Sequence, residues 1–156
     1  MSAGRRAFHE AGDGRCPPAL AAEQRGLVVS EVTSPLSADV VAYLASQRLG
    51  RLATVDAHGA PQNNPVGFRY NAELGTIDVG GRKMGASRKF RNLTANPKVA
   101  FVIDDIASVQ PWRVRCVEIR GHAEALRDQV PYMAGMSAEI IRIYPERVIA
   151  FGLDLG

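Results

Sequence analysis

From Arg115 to Ala125 the chain alternates polar and apolar side chains almost without a break. A period of two sustained that long cannot sit on a helix. It marks one long β-strand with a single face in a core. His122 continues the polar parity of Glu118 and Arg120, so the pattern predicts an exposed histidine.

Shorter strands surround this one. Gly50–Val55 and Pro61–Tyr70 flank the turn Asp56-Ala57-His58-Gly59, whose residues tolerate tight hairpin geometry and whose His58 reads as an exposed tip. Pro65 cannot donate to a ladder, so the second of these strands is an edge or bends there, with Gly67 supporting a bend. Thr76–Val79 is a strand, and the apolar run Val99–Ile103 a central one. Asp104–Arg113 reads as a loop carrying Pro111 and the only tryptophan, Trp112, and Leu126–Ser137 as a partly helical connection. Glu139–Tyr144 and Arg147–Phe151 read as strands on either side of Pro145. Two short helices complete the set. Ser37 caps one whose apolar stripe is Val40, Val41, Leu44 and Ala45, and the other buries Ala86, Phe90 and Leu93 before Asn96-Pro97 closes it. Repeated short strands with hairpin turns favour a closed or nearly closed barrel of six or seven mostly antiparallel strands. Residues 1–33 read as a mobile segment and 34–156 as the single domain.

The chemistry concentrates between Ile77 and Arg91, where a strand runs into Gly80-Gly81 and then a short helix with cations and no acid. Paired glycines permit positive φ and close approach to a ligand, and helix-start amides attract anions. Arg88 and Arg91 repel each other at a spacing of three unless an anion lies between them. Two named phosphate motifs are excluded. Gly80 and Gly85 have Walker A spacing, but Ala86 stands where the lysine belongs, and Gly80-Gly81 lacks the residue that separates the first two glycines of the dinucleotide fingerprint. A solvated basic face remains the bland alternative.

Composition narrows the field further. The 156 residues suit one domain with a modest core, or one that completes its core by dimerising. No apolar run approaches the ~20 residues that cross a bilayer, and Met1–Arg25 lacks the apolar core of a signal peptide. A cytoplasmic protein is expected, with Cys16 and Cys116 as reduced thiols outside any metal-ligand spacing. The net charge of +3 is mild and gathers at Arg82–Lys98 and Arg113–Arg120, which suits a small anionic ligand better than a duplex. Aromatic residues are not interleaved with the cations as single-strand binding requires.

Several segments in order resemble the flavin- and deazaflavin-binding split β-barrels related to pyridoxamine 5′-phosphate oxidase. They are Leu49–Thr54, Gly59-Ala60-Pro61 with Pro65–Phe68, Ser87-Arg88-Lys89 before Asn96–Ala100, and Val117–Ala123. The resemblance covers Leu44–Leu126 and resumes at Ile141–Leu153. It implies a homodimer with two cofactors in clefts between subunits. It also implies that Ser87, Arg88 and Lys89 grip the cofactor phosphate and that the strand from Asn63 through Asn64, Pro65, Val66 and Gly67 to Phe68 lines the ring. Val79, Gly80 and Gly81 would flank the ribityl chain, and Trp112 and Arg113 would reach in from the partner. No Arg-x-His stands near the C-terminus to hold a pyridoxine phosphate, so vitamin B6 oxidation is not implied. Gly80-Gly81-Arg82-Lys83-Met84, Asp104-Asp105 and Pro111-Trp112-Arg113 resemble the branch that uses coenzyme F-420 more than the FMN branch. The leading expectation is thus an oxidoreductase moving a hydride between a bound deazaflavin and a small conjugated substrate. An FMN flavoprotein and a non-catalytic cofactor carrier stay as alternatives, and the sequence offers no catalytic side-chain array to decide among them.

Overall fold

The computed structural model describes residues 36–153 and the strand Val28–Ser30. The rest of the expected mobile segment 1–33, with His9 and Cys16, lies outside the described residues. In chain order the elements are β1 (Val28–Ser30), α1 (Ala38–Ser46), β2 (Leu49–Val55), β3 (Pro61–Asn71), β4 (Thr76–Val79), α2 (Arg88–Ala95), β5 (Lys98–Val109), β6 (Trp112–Leu126) and β7 (Ile140–Phe151). A single 3-10 turn, Met84–Ala86, precedes α2.

Six strands close a ring in the order β7-β4-β3-β2-β5-β6, because β6 pairs back onto β7, and every pairing is antiparallel. β1 adds to β7, with Val28 opposite Ala150. The alternation of β6 explains the closure: Val117, Ile119, Gly121 and Ala123 are buried, whereas Arg120 and Glu124 are exposed on the other face. The inward residues of the ring meet in one core, where Ile77, Val79, Phe101, Ile103, Val117, Ile119, Ile141 and Ile143 are fully buried. Phe68 packs edge-on against Phe101, with centroids 5.2 Å apart.

Three local expectations are corrected, and of the two alternatives at Pro65 the edge is the one that holds. Asp104–Arg113 is no loop: β5 and β6 continue as a hairpin until Val109 faces Trp112, with a bulge near Ala107. β3 runs unbroken through Pro65, which pairs in register with Arg51. Pro65 is tolerated because Pro61–Gly67 pair only with β2 and β4 joins from Phe68 onward, leaving the other edge of that half without a strand. Leu126–Ser137 contains no helix beyond β6, only bends and turns. Finally, Glu139–Tyr144 and Arg147–Phe151 belong to one strand, Ile140–Phe151.

A bulge carries β7 past Pro145. Arg120 faces Arg147 and Gly121 faces Pro145, so Glu146 is the extra residue. The backbone then comes so close that a Cβ on Gly121 would lie 2.0 Å from the Tyr144 carbonyl oxygen. α1 begins where Ser37 accepts from the Val40 amide at 3.4 Å, and it buries Val40, Tyr43 and Leu44. Its end is tied to the barrel through Asp105, which accepts from Tyr43 at 3.3 Å, Gln47 at 2.9 Å and Arg115 Nε at 2.9 Å.

Two outcomes follow for stability. Gly121→Ala destabilises by about 1–3 kcal/mol, the usual cost of forcing atoms into a filled space, in urea or thermal melts, whereas Gly67→Ala, with nothing within 4 Å of its new Cβ, leaves stability nearly unchanged. The Arg115 hydrogen bond, against a smaller opposing cost of burial, holds the Asp105 carboxyl below its ordinary value of 3.8. A lowered folded value means that its contribution is complete above pH 3.8 and is lost as pH falls through the folded value. Asp105→Asn therefore flattens the acid limb of a stability–pH curve.

Candidate functional site

The unpaired half-edge of β3 and the start of α2 bound one region. α2 is positioned by Asn92, buried on the inner side of the helix, whose Nδ2 donates to Thr54 Oγ1 at 3.0 Å and to Gln62 Oε1 at 3.3 Å. That tie fixes the helix against β2 and the first residues of β3. Ser87 is the N-cap, accepting from the Phe90 amide at 3.3 Å. Arg88 and Lys89 occupy the first turn, and no acid does. Ala86 lies before the helix and is exposed, so the buried face is Phe90, Asn92 and Leu93 rather than one that includes Ala86.

Arg82, Lys83 and Arg88 are exposed and Lys89 is half-buried; among the described residues none pairs with a carboxylate within 4.0 Å. Arg88 reaches the field of Asp56 in the β2–β3 turn. The carboxyl of Asp56 is held below its ordinary range by the Ala60 and His58 amides first, with Arg88 a smaller contributor. His58 is exposed at that turn, as expected. The donor set suits a phosphate: a capped helix start, two cations in its first turn and two more just upstream.

The glycine pair works differently from the expectation. Neither Gly80 nor Gly81 has positive φ, which falls instead at Gly59, Gly75, Gly135 and Gly152. Gly80 needs to be glycine because the 127–139 connection lies on it: a Cβ would sit 2.7 Å from Met136 Sδ and 3.0 Å from the Tyr132 hydroxyl. The Gly80 amide donates to that hydroxyl at 2.9 Å. Ser137 holds the next turn by donating from its amide to Gly81 O at 2.9 Å, while its Oγ accepts from the Met84 amide at 3.2 Å. Burial, opposed by the Gly80 amide and Arg69, raises the Tyr132 pKa, so the phenol stays protonated at neutral pH.

Beneath this connection lies a charge cluster that no motif announces. Asp78 on β4 is fully buried and accepts from Arg142 Nε at 2.7 Å and Nη2 at 3.0 Å. Arg69 Nη2 approaches the same carboxylate at 3.6 Å, and its guanidinium lies 4.6 Å over the Tyr132 ring. A pocket of about 350 Å³ opens between α1, the middle of β3 and the 132–136 stretch.

The expected site residues therefore divide. Ser87, Met84, Gly80 and Gly81 are brought together through Ser137 and Tyr132. Val66, Val79 and Met84 turn their side chains into the core and offer only backbone. Asn63, Pro65 and Gly67 fall on the opposite face of β3 from Val66, while Asn64 shares the parity of Val66. Trp112 and Arg113 are not gathered with the others. They sit at the far end of the β5–β6 hairpin, and the twelve residues of β5 make roughly 40 Å of strand from α2. Sequence reasoning missed Asn92, Tyr132, Ser137 and the Asp78 cluster. An acid between Ile77 and Val79 and an amide beside Phe90 and Leu93 were the available signals. Among the described residues no group of three His, Cys, Asp or Glu side chains converges on a metal site. No helix among them is long and apolar enough to cross a membrane. Burial, ahead of Asp104 and Glu118, pushes the Cys116 thiol up to about 11, so it stays protonated.

Arg142→Met leaves Asp78 buried with its main partner gone, and chemical denaturation should show a loss of about 3–5 kcal/mol. Adding Asp78→Asn to it should recover part of that loss, since the stranded charge is then removed.

Comparison with known proteins places this geometry in a family. Residues 36–153 match the family model described as pyridoxamine 5′-phosphate oxidase. A relative from Streptomyces rimosus, named 5a,11a-dehydrotetracycline/5a,11a-dehydrooxytetracycline reductase, is 47% identical over 124 residues, covering 77% of this chain and 85% of that protein. Among solved structures, a conserved hypothetical protein from Mycobacterium tuberculosis superposes with a TM-score of 0.61 at 20% identity, over 80% of this chain and 90% of the other. An FAD-binding protein from Mycobacterium smegmatis has a TM-score of 0.55 at 24% identity, over 74% and 93% respectively. These two likenesses bear on the fold alone. With the ring, the match across nearly all of the described residues and the reductase relative agreeing, the chain belongs to the pyridoxamine 5′-phosphate oxidase family of split-barrel, flavin-type oxidoreductases.

Proposed function

We propose that the protein is a homodimeric reductase that binds the deazaflavin coenzyme F-420 and reduces a conjugated carbonyl compound of the dehydrotetracycline kind. The observation that carries the reaction class is the reductase relative, 47% identical over most of both chains. The choice of cofactor rests on charge. Five of the ten residues from Arg82 to Arg91 are basic, more than one terminal phosphate needs, and coenzyme F-420 adds a lactyl and polyglutamate tail bearing carboxylates.

The residues divide the work accordingly. Ser87, Arg88, Lys89 and the free amides of the first turn of α2 hold the phosphate. Arg82 and Lys83, upstream and exposed, meet the tail. The unpaired half-edge of β3, Asn63 to Gly67, offers backbone donors and acceptors to the polar rim of a ring, and Val79 to Gly81 pass beside the linking chain. When bound, the cofactor supplies the hydride, and the protein supplies binding, orientation and exclusion of water. Trp112 and Arg113 reach the site only from a second subunit. Ile106, Val109 and Trp112 are 55%, 68% and 65% exposed on the hairpin, an apolar tip that a partner would cover.

Each exposed carboxylate contact contributes only about 0.2–1 kcal/mol, so coenzyme F-420 should bind roughly ten-fold tighter than FMN, with the gap shrinking in high salt. Side-by-side fluorescence titrations at low and high salt measure this; equal or tighter FMN binding, or a co-purifying chromophore with the two-band flavin spectrum rather than the single band of a deazaflavin, moves the assignment to FMN. Arg88→Ala and Lys89→Ala should each weaken cofactor binding by about ten-fold or more, the scale of a charge-assisted hydrogen bond, with melting behaviour unchanged. Unaltered affinity in both returns the basic run to a solvated face. Tight cofactor binding without turnover of any conjugated acceptor would make the protein a carrier. Sedimentation at low micromolar concentration should show a dimer, and a stable monomer refutes the shared site.

A further inference from the structure

The pocket behind α1 differs from the cationic cradle in its chemistry. Its walls are mostly apolar: Val41 and Leu44 from α1, Phe68 from β3, and Met133 and Met136 from the connection. At about 350 Å³ it falls within the range of small-molecule sites. No acidic residue lines it. Its polar residues are Gln47, Arg48, Arg69, Tyr70 and Tyr132. Gln47 commits its Nε2 to Asp105 at 2.9 Å and to Ser46 at 3.2 Å, which leaves it only its Oε1 acceptor for a ligand.

The directions of the remaining bonds decide what the pocket can recognise. Tyr132 Oη already accepts from the Gly80 amide at 2.9 Å, and its proton has no acceptor among the described residues. Arg48 pairs with no carboxylate among the described residues, and Arg69 shares only one nitrogen, at 3.6 Å, with Asp78. Guanidinium groups donate and never accept. Three of the groups that face an incoming molecule are thus donors, two of them cationic, set around apolar and thioether walls. Met133 is 60% exposed at the mouth, and methionine walls adjust to irregular rings.

We propose that this pocket is the substrate site, and that it selects a flat, apolar, ring-fused molecule presenting a row of carbonyl or ionised enol oxygens to Arg48, Arg69 and Tyr132. The inference rests on the reductase reading for its biological sense, but the ligand class comes from the donor set. Tyr132 also joins the two sites, since its hydroxyl accepts from the Gly80 amide and the same side chain lines the pocket. Arg48 is the specificity-determining cation, free of any role in the cradle, whereas Tyr132 is a positioning residue for both.

The test uses the full chain without cofactor and two ring-matched probes, 1-hydroxy-2-naphthoate and 2-naphthylmethylamine, together with tetracycline as a larger enolate probe, followed by calorimetry or probe fluorescence. Wild type should bind the naphthoate and tetracycline and reject the amine by at least ten-fold. Arg48→Ala should weaken the anionic probes by about ten-fold, the scale of a partly solvated charge-assisted contact. Met133→Glu, which sets a carboxylate at the mouth, should weaken them further and narrow the discrimination against the amine. Both variants should keep the wild-type affinity for coenzyme F-420 or FMN, which also reports that they are folded. Equal binding of amine and naphthoate, no binding of either anionic probe, or probe affinities untouched by both substitutions overturns the proposal. Loss of cofactor affinity alongside probe affinity overturns the separation of the two sites. A protein that binds the anionic probes through Arg48 yet binds no cofactor keeps the pocket and discards the redox reading.

Discussion

The β6–β7 pairing is the interaction on which the rest depends. Short strands can pair in many ways, but only a long strand with one buried face can meet a second long strand along its whole length and shut the ring. Closure removes edges, and the unpaired half of β3 is one place where that removal is incomplete. An exposed half-edge is a liability unless something covers it. Pro65 blunts it against another chain, since a proline offers no amide to a foreign strand.

Closure also has a local cost. β7 must pass Pro145 while staying paired with β6, and the bulge at Glu146 and the bare backbone of Gly121 are how it does so. On the opposite edge, β4 pairs with β7 only from Ile77 to Val79, and Asp78 sits in the middle of that short ladder. A buried carboxylate there is tolerable because Arg142 lies directly across the ladder and Arg69 across the next. The arrangement gives register specificity at modest net stability: sliding β7 by one residue would strand the charge. It also aims Arg69 at Tyr132, carrying a register constraint into the wall of a ligand pocket.

How much of this was legible in the sequence depended on whether the signal was local. The alternation of Arg115–Ala125, the Ser37 cap and the Asp56–Gly59 turn are statements about neighbours in the chain, and they held. Pro145 misled because a proline breaks a ladder only if nothing bulges to absorb it, and the glycine that permits the bulge is 24 positions away. Asp104–Arg113 misled for a related reason: its charges looked like loop, but Asp104 and Asp105 are neutralised by Arg51 and Arg115 from other positions in the sheet. In the candidate site the cations were visible, being a run, while Asn92, Tyr132 and Ser137 were not. Each makes its contacts some 30 to 56 residues away, and no periodicity encodes such a partner. Gly80 needs to be glycine for a reason other than the one expected, the approach of a methionine and a tyrosine rather than positive φ.

The two proposed recognition surfaces carry positive charge under different conditions, and this decides what each could contribute. Around α2 the cations are mostly exposed, so each is screened and individually weak, and only their number can discriminate a multiply charged tail from a single phosphate. Beside α1 the cations are fewer but border apolar walls, where water is excluded once a ring fills the space and each contact gains strength. A molecule that offered only charge would do well at the first and poorly at the second, because nothing would displace water from Leu44, Phe68 and Met136. A molecule that offered only rings would leave Arg48 and the Tyr132 proton without acceptors. Fused rings edged with oxygens would satisfy both demands at once, and on the proposed reading the 127–139 connection, which lies on the Gly80 turn and walls the pocket, would keep cofactor and substrate side by side with neither surface suited to the other's ligand.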